Sequence, residues 1–89
     1  MTKSEFNDLF DLLSYGHDAD LSVDGQRYFL EWNGDGITIY KMQGDAGHKI
    51  ATLCGENKVQ VVDDLFNFLF LTGKSLNSSY QEISILDIE

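Results

Sequence analysis

The chain contains no proline, one cysteine (Cys54), and six basic residues against fifteen acidic ones. Each shortage excludes something. A single thiol rules out an internal disulfide and any zinc site built on paired thiolates, and it fits a reducing, cytoplasmic setting. The net charge of -9 repels phosphate backbones and anionic membranes, so neither a nucleic-acid nor a membrane partner is expected. The acids are scattered from Glu5 to Glu89 rather than gathered in a tail. That pattern suits solubility, and it also suits recognition of a basic protein. With no proline, and with eight glycines mostly at turn-like positions, no linker divides the chain and no internal repeat is visible. The opening residues Met-Thr-Lys-Ser-Glu-Phe-Asn-Asp lack the apolar core of a signal peptide. One domain over residues 1–89 is expected, burying roughly 60 to 65% of its unfolded surface, with no room for a separate catalytic domain.

The densest apolar stretch lies between Val61 and Leu76. From Val62 to Leu71 only Asp63, Asp64 and Asn67 are polar, which predicts a core helix from about Val62 to Thr72, apolar over more than one stripe. Such a helix needs cover on more than one side, from the chain's own sheet or from a second copy. It is too short to span a bilayer, which takes roughly 20 residues. Asp63 and Asp64 would occupy its first turn, where the helix dipole favours them, and Gly73 would end it.

Upstream, Thr2-Lys3-Ser4-Glu5 has capping-box spacing, and Phe6, Leu9, Phe10 and Leu13 recur at helical intervals, predicting a helix from about Lys3 to Ser14 stopped at Gly16. The period then becomes two. Leu21 and Val23 lead to an Asp24-Gly25 turn. Gln26 to Trp32 follows, with Tyr28, Leu30 and Trp32 on the core face and Arg27, Phe29 and Glu31 on the other. Asn33 to Gly36 turns into Ile37–Met42, Gln43 to Gly47 is a loop, Lys49 to Cys54 is a fourth strand, and Gly55 to Lys58 is a loop. Connections this short make the sheet antiparallel. A short helix follows Lys74-Ser75, with Leu76 and Tyr80 on one face, and Ile83 to Ile88 returns as an edge strand. The predicted fold is α+β: N-terminal helix, antiparallel four-strand meander, core helix plus short helix, C-terminal edge strand, with the helices on one sheet face.

Asp24-Gly25-Gln26-Arg27-Tyr28, Val-Asp-Asp-Leu (62 to 65), Gly-Lys-Ser-Leu (73 to 76), Tyr80 and Glu-Ile-Ser-Ile (82 to 85) together resemble a group of small uncharacterised bacterial proteins. In that group an Asn/Asp-Gly-Lys/Gln-x-Tyr strand turn precedes a Val-Asp-Asp-Leu-Leu helix and a Gly-Lys-x-Leu step. The resemblance covers about two thirds of the chain. It implies the same fold and a place in phage or other mobile-element neighbourhoods, and it implies no activity. Group members often carry Ser or Thr before Val-Asp-Asp as a helix cap, where this chain has Val61.

Several chemistries are suggested by spacing alone. Asp20-x-Ser22-x-Asp24-Gly25 followed by Glu31 matches a calcium loop, but position eight is Arg27, the flanks are turns, and a hairpin here points Glu31 away from Asp20. His17, Asp18 and Asp20 cluster after the first helix and are the weak metal candidates, with Asp45 or His48 able to approach only if the meander curls. Cys54 and His48 on one strand would stand roughly 20 Å apart at about 3.3 Å per residue, too far for a nucleophile and its base. Cys54 reads better as core filling. Ser75, Ser78 and Ser79 have no histidine nearby and read as cap and solvated face. Gly73-Lys74-Ser75 lacks the upstream glycine of a phosphate loop, because position 68 is Phe. No cofactor is implied.

Arg27, Phe29 and Tyr40 on the less apolar sheet face, with Phe68 and Phe70 on the core helix, are the protein-binding candidates, since interfaces favour aromatics and Arg. Cross-strand aromatic pairs also simply stabilise sheets. Two functions follow from different classes. One is a non-enzymatic interaction module, accessory, regulatory or immunity-like, whose partner is itself or a basic protein. The other is a small metal-dependent enzyme or metal-binding protein using His17, Asp18 and Asp20.

Overall fold

In the computed structural model, which describes residues 1–89, five strands form one antiparallel sheet: β1 Ala19–Val23, β2 Gln26–Asn33, β3 Gly36–Gln43, β4 Ala46–Cys54 and β5 Ile83–Ile88. Their spatial order is β4-β3-β2-β1-β5. The first four make the predicted meander. β5 returns to pair antiparallel with β1, Val23 opposite Ile83 and Ala19 opposite Ile88, so the C-terminal strand closes within the chain. β4 starts at Ala46 rather than Lys49, because Gly44, at φ 62°, makes a tight turn where a longer loop was expected.

The N-terminal helix α1, Lys3–Ser14, is held by its capping box. The Glu5 N–H donates to Thr2 Oγ1 at 3.2 Å, and the Thr2 N–H donates to Glu5 Oε1 at 2.9 Å. The Thr2 backbone bond, then its hydroxyl, holds the Glu5 carboxyl below its ordinary range. Phe6, Leu9 and Leu13 form the buried stripe. Past Tyr15, Gly16 at φ 102° supplies the left-handed residue that releases the chain.

The core helix differs from expectation at both ends. α2 runs Lys58–Asn67 and is capped by Asn57, whose side chain accepts the Gln60 N–H at 2.9 Å. Val61 is therefore inside the helix and fully buried. Asp63 and Asp64 sit mid-helix and exposed. Val61, Val62, Leu65 and Phe66 make one buried stripe, so the helix is amphipathic rather than apolar all round. The rest of the apolar run leaves the helix at Phe68, which is extended at φ -72°, ψ 131°. Period two then sends Phe68 and Phe70 inward and Leu69 outward. Leu69 is 65% exposed, whereas Leu65 is fully buried. No second copy is needed as cover.

Leu71 and Lys74 then exchange backbone hydrogen bonds at 3.0 and 3.2 Å around Thr72 and Gly73, both at positive φ. A short helix α3, Leu76–Ser79, and a 3-10 turn, Tyr80–Glu82, lead into β5. Phe66 meets Phe6 at 4.9 Å and Phe10 edge-on at 5.2 Å, which ties α1 to α2 through aromatic contact. Trp32 Nε1–H donates to Leu13 O at 2.9 Å, fixing α1 against the sheet. No helix is long and apolar enough to cross a membrane.

The cap makes one prediction. Asn57→Ala leaves the Gln60 N–H without its partner and should cost about 1 kcal/mol in chemical denaturation, while Asn57→Ser or Asn57→Asp should stay close to wild type. Equal losses for all three would show that the helix does not begin at Lys58.

Candidate functional site

The register divides the sheet into two unlike faces. Ala19, Leu30 and Ile39 are cross-strand neighbours, as are Leu21 and Tyr28, and Val23 and Ile83. All are buried and belong to the core shared with α1 and α2. The alternate residues face away from the helices. There Lys49, Tyr40, Phe29, Asp20 and Asp87 are successive partners, forming one transverse row across all five strands. At about 4.8 Å per strand the row is roughly 19 Å long.

Two irregularities flank this row. The β3–β4 register shifts between Ile39 and Tyr40, leaving Ile50 as the extra residue of β4, and the β1–β5 register shifts between Asp20 and Leu21, leaving Leu86 as the extra residue of β5. Alternation from Ala51 and from Ile85 turns both side chains to the open face. They are 39% and 53% exposed. An aliphatic side chain therefore stands on each edge strand, Ile50 on the strand next to Tyr40 and Leu86 on the far side of Asp20 from Phe29. Bulged edges also resist strand addition.

The face is braced rather than loose. Phe29 and Tyr40 are half-buried and lie with ring centroids 6.5 Å apart at 31°. Arg27 clamps Asp20 in a two-point ion pair, Nε to Oδ1 at 2.8 Å and Nη2 to Oδ2 at 2.6 Å. That hydrogen bond, then the Asp20 charge, holds the guanidinium proton above its already high ordinary range. Thr38, buried on this same face, shares a hydrogen bond with Thr52 at 3.0 Å and accepts from Asn33 Nδ2 at 3.1 Å.

Of the protein-binding candidates, Arg27, Phe29 and Tyr40 are brought together on the open face. Phe68 and Phe70 are not with them. They stack on each other at 6.1 Å, and Phe70 meets Tyr28 edge-on at 5.4 Å, which places them on the helix side as partners of the core. The reason is the early end of α2, which converts helix surface into an extended segment lying on the sheet. Ile50 and Leu86 were missed, because their exposure depends on bulges that leave no mark in the sequence.

The metal candidates do not converge. Asp18 Oδ1 accepts the Trp32 N–H at 2.8 Å, Asp20 is taken by Arg27, and His17 Nδ1 lies 3.3 Å from Glu89 O. His48 sits opposite Lys41 at the far side of the sheet, and no group of three or more His, Cys, Asp or Glu side chains is placed to hold a metal ion. Glu31 shares the face of Asp20, contrary to expectation, because it lies two residues along from Phe29, the partner of Asp20. Asp24, however, is in the β1–β2 turn at φ 50°, roughly 13 Å along the strand at about 3.3 Å per residue, so the calcium-loop oxygens cannot wrap one ion. Cys54 is exposed rather than core filling. It lies opposite Gly36 on the edge strand β4. No family model, curated protein or solved structure matches this chain.

Proposed function

We propose that this chain is a non-enzymatic interaction module, accessory or immunity-like, that docks a basic protein on the open face of its sheet. The observation that carries the reading is the transverse row, uncovered by any of the helices: a braced Phe29–Tyr40 centre between Lys49 and Asp20, with Ile50 and Leu86 as the bulge residues beside its two ends. Interfaces favour an apolar, aromatic centre with a polar rim, and here Glu31 and Asp87 belong to that rim. Five strands of this length offer on the order of 600 Å² of flat surface, approaching the roughly 800 Å² that each partner contributes to a standard interface.

Charge selects the occupant. Two copies would each bring a net charge of -9, and that repulsion opposes self-association, while the same field speeds encounter with a cation-rich surface. The resemblance to small bacterial proteins of mobile-element neighbourhoods supports an accessory or inhibitory role.

The test begins with affinity capture from the cells that make this protein, followed by identification and purification of what is captured. A basic protein should bind the wild type directly, with an association rate that falls as salt rises. The double variant Phe29→Thr with Tyr40→Thr keeps β-forming residues in place, and it should raise the dissociation constant about 30-fold or more, the size of a hot-spot loss. An acidic partner, or an affinity untouched by the double variant in a protein whose fold is intact, would contradict the reading.

A further inference from the structure

On the opposite side of the sheet, a cleft of about 430 Å³ opens between the β1–β2 turn, the Leu71–Lys74 turn and the Ser79 to Glu82 stretch that leads into β5. That is within the range of small-molecule sites. Its walls carry polar groups that the protein leaves unused. Ser79 is 4% exposed and its hydroxyl is buried without a partner. Tyr28 is 7% exposed as a whole and also lines the cleft. Burial pushes the Tyr28 phenol up from its ordinary range, so at neutral pH it remains a donor. Buried hydroxyls are normally satisfied, and the Ser79 hydroxyl left open on the wall of this cleft is an invitation to a ligand.

The charges repeat the pattern. Lys41 and Lys74 line the cleft, and neither forms an ion pair, because the one salt bridge of the chain is Arg27 with Asp20. Lys41 stands beside Tyr28 as its cross-strand neighbour. Asp24 and Glu82 also line the cleft without ion partners, and they are held together by the Asp24 N–H donating to Glu82 O at 3.3 Å. At the rim, Thr72 is held at φ 53°. For a β-branched residue that is a genuine backbone outlier, of the kind that clusters at ligand sites.

A simple anion would satisfy the lysines and be repelled by the two carboxylates. A simple cation would meet the reverse. We propose that this cleft binds a small zwitterion of the amino-acid type, its carboxylate taken by Lys41, Lys74 and the hydroxyls of Tyr28 and Ser79, and its ammonium by Asp24 and Glu82. The cleft lies on the helix side and the docking row on the other, so the two sites stand or fall separately.

The experiment is a titration of the ¹⁵N-labelled full chain with each proteinogenic L-amino acid, with propionate and ethylamine as half-ligands carrying only one charge. At about 10 mM, tenfold above a 1 mM dissociation constant, at least one amino acid should give saturable shifts confined to the amides around Tyr28, Lys41, Thr72 to Lys74 and Ser79. Each half-ligand should bind at least about tenfold more weakly, and so should the winning amino acid to Lys74→Met and to Ser79→Ala. The spectra of both variants should otherwise match wild type, which separates lost binding from lost folding. Phe29→Thr with Tyr40→Thr should leave the titration unchanged. No saturable shift from any amino acid, propionate binding as tightly as the amino acid, or full binding by both single variants would each overturn the proposal.

Discussion

Leu65→Ala should cost about 3 kcal/mol, within the usual range for deleting a fully buried leucine, and should lower Tm by on the order of 15 °C for a domain of this size. Leu65 is fully buried on the inner stripe of α2, where it shares the core with Val62 and Phe66. A domain of 89 residues has a total stability of roughly 4 to 13 kcal/mol, so the variant stands close to unfolding. Leu69→Ala is its control. Had the helix continued to Thr72, Leu69 would lie one turn below Leu65 on the same stripe and would cost as much. The chain is extended there and Leu69 is 65% exposed, so its truncation should fall within about 0.5 kcal/mol of wild type. Equal losses in chemical denaturation would show that the helix runs on.

Gly36→Ala should cost about 2 to 3 kcal/mol for a different reason. A Cβ at this position would stand 2.7 Å from Cys54 Sγ and 2.9 Å from the Leu53 carbonyl oxygen. The sulfur can rotate away, but the carbonyl belongs to the β4 backbone and can move only if the strand does, which is the cost of overpacking. Cys54→Ala in the same chain should therefore restore less than half of the loss. The glycine requirement is steric and owes nothing to a left-handed backbone. Gly34, at φ 65° with nothing within 4 Å of the place a Cβ would occupy, shows the other kind of requirement, where Ala should cost about 1 to 2 kcal/mol through the backbone alone. A Gly36→Ala protein as stable as wild type would mean that β3 and β4 do not approach as closely as described.

The elements most legible in the sequence were those marked by both a period and a stop signal. Thr2 with Glu5 marked one end of α1 and Gly16 the other. Asp24-Gly25 and Asn33 to Gly36 separated runs of alternating character. The core helix was misplaced because apolar density outweighed a local signal that was present: Asn57 followed three residues later by Gln60 has the spacing of a cap, and it is the cap. A short apolar run such as Phe68 to Leu71 is ambiguous between helix and extended chain by period alone. Within the candidate site, Arg27, Phe29 and Tyr40 could be read from alternation. Ile50 and Leu86 could not, since one extra residue in each edge strand decides which way they point. The companionship of Tyr28 with Lys74 and Ser79 was equally hidden, because it is made by the turn after α2 folding back onto the β1–β2 end of the sheet. His17, Asp18 and Asp20 were adjacent in sequence, but strand pairing gave the carboxylates other partners.

One face of the sheet is covered by the helices and the other is open, where a basic protein is proposed to dock, and methyl NMR with a soluble nitroxide reads both faces in one sample. In the free chain the nitroxide should bleach the methyls of Ile50 and Leu86 and spare those of Leu30 and Ile39, and adding the purified basic partner should restore Ile50 and Leu86. Ile50 and Leu86 shielded in the free chain, or a partner that shields Val59 and Leu69 on the helix side while leaving Ile50 and Leu86 bleached, would contradict that arrangement.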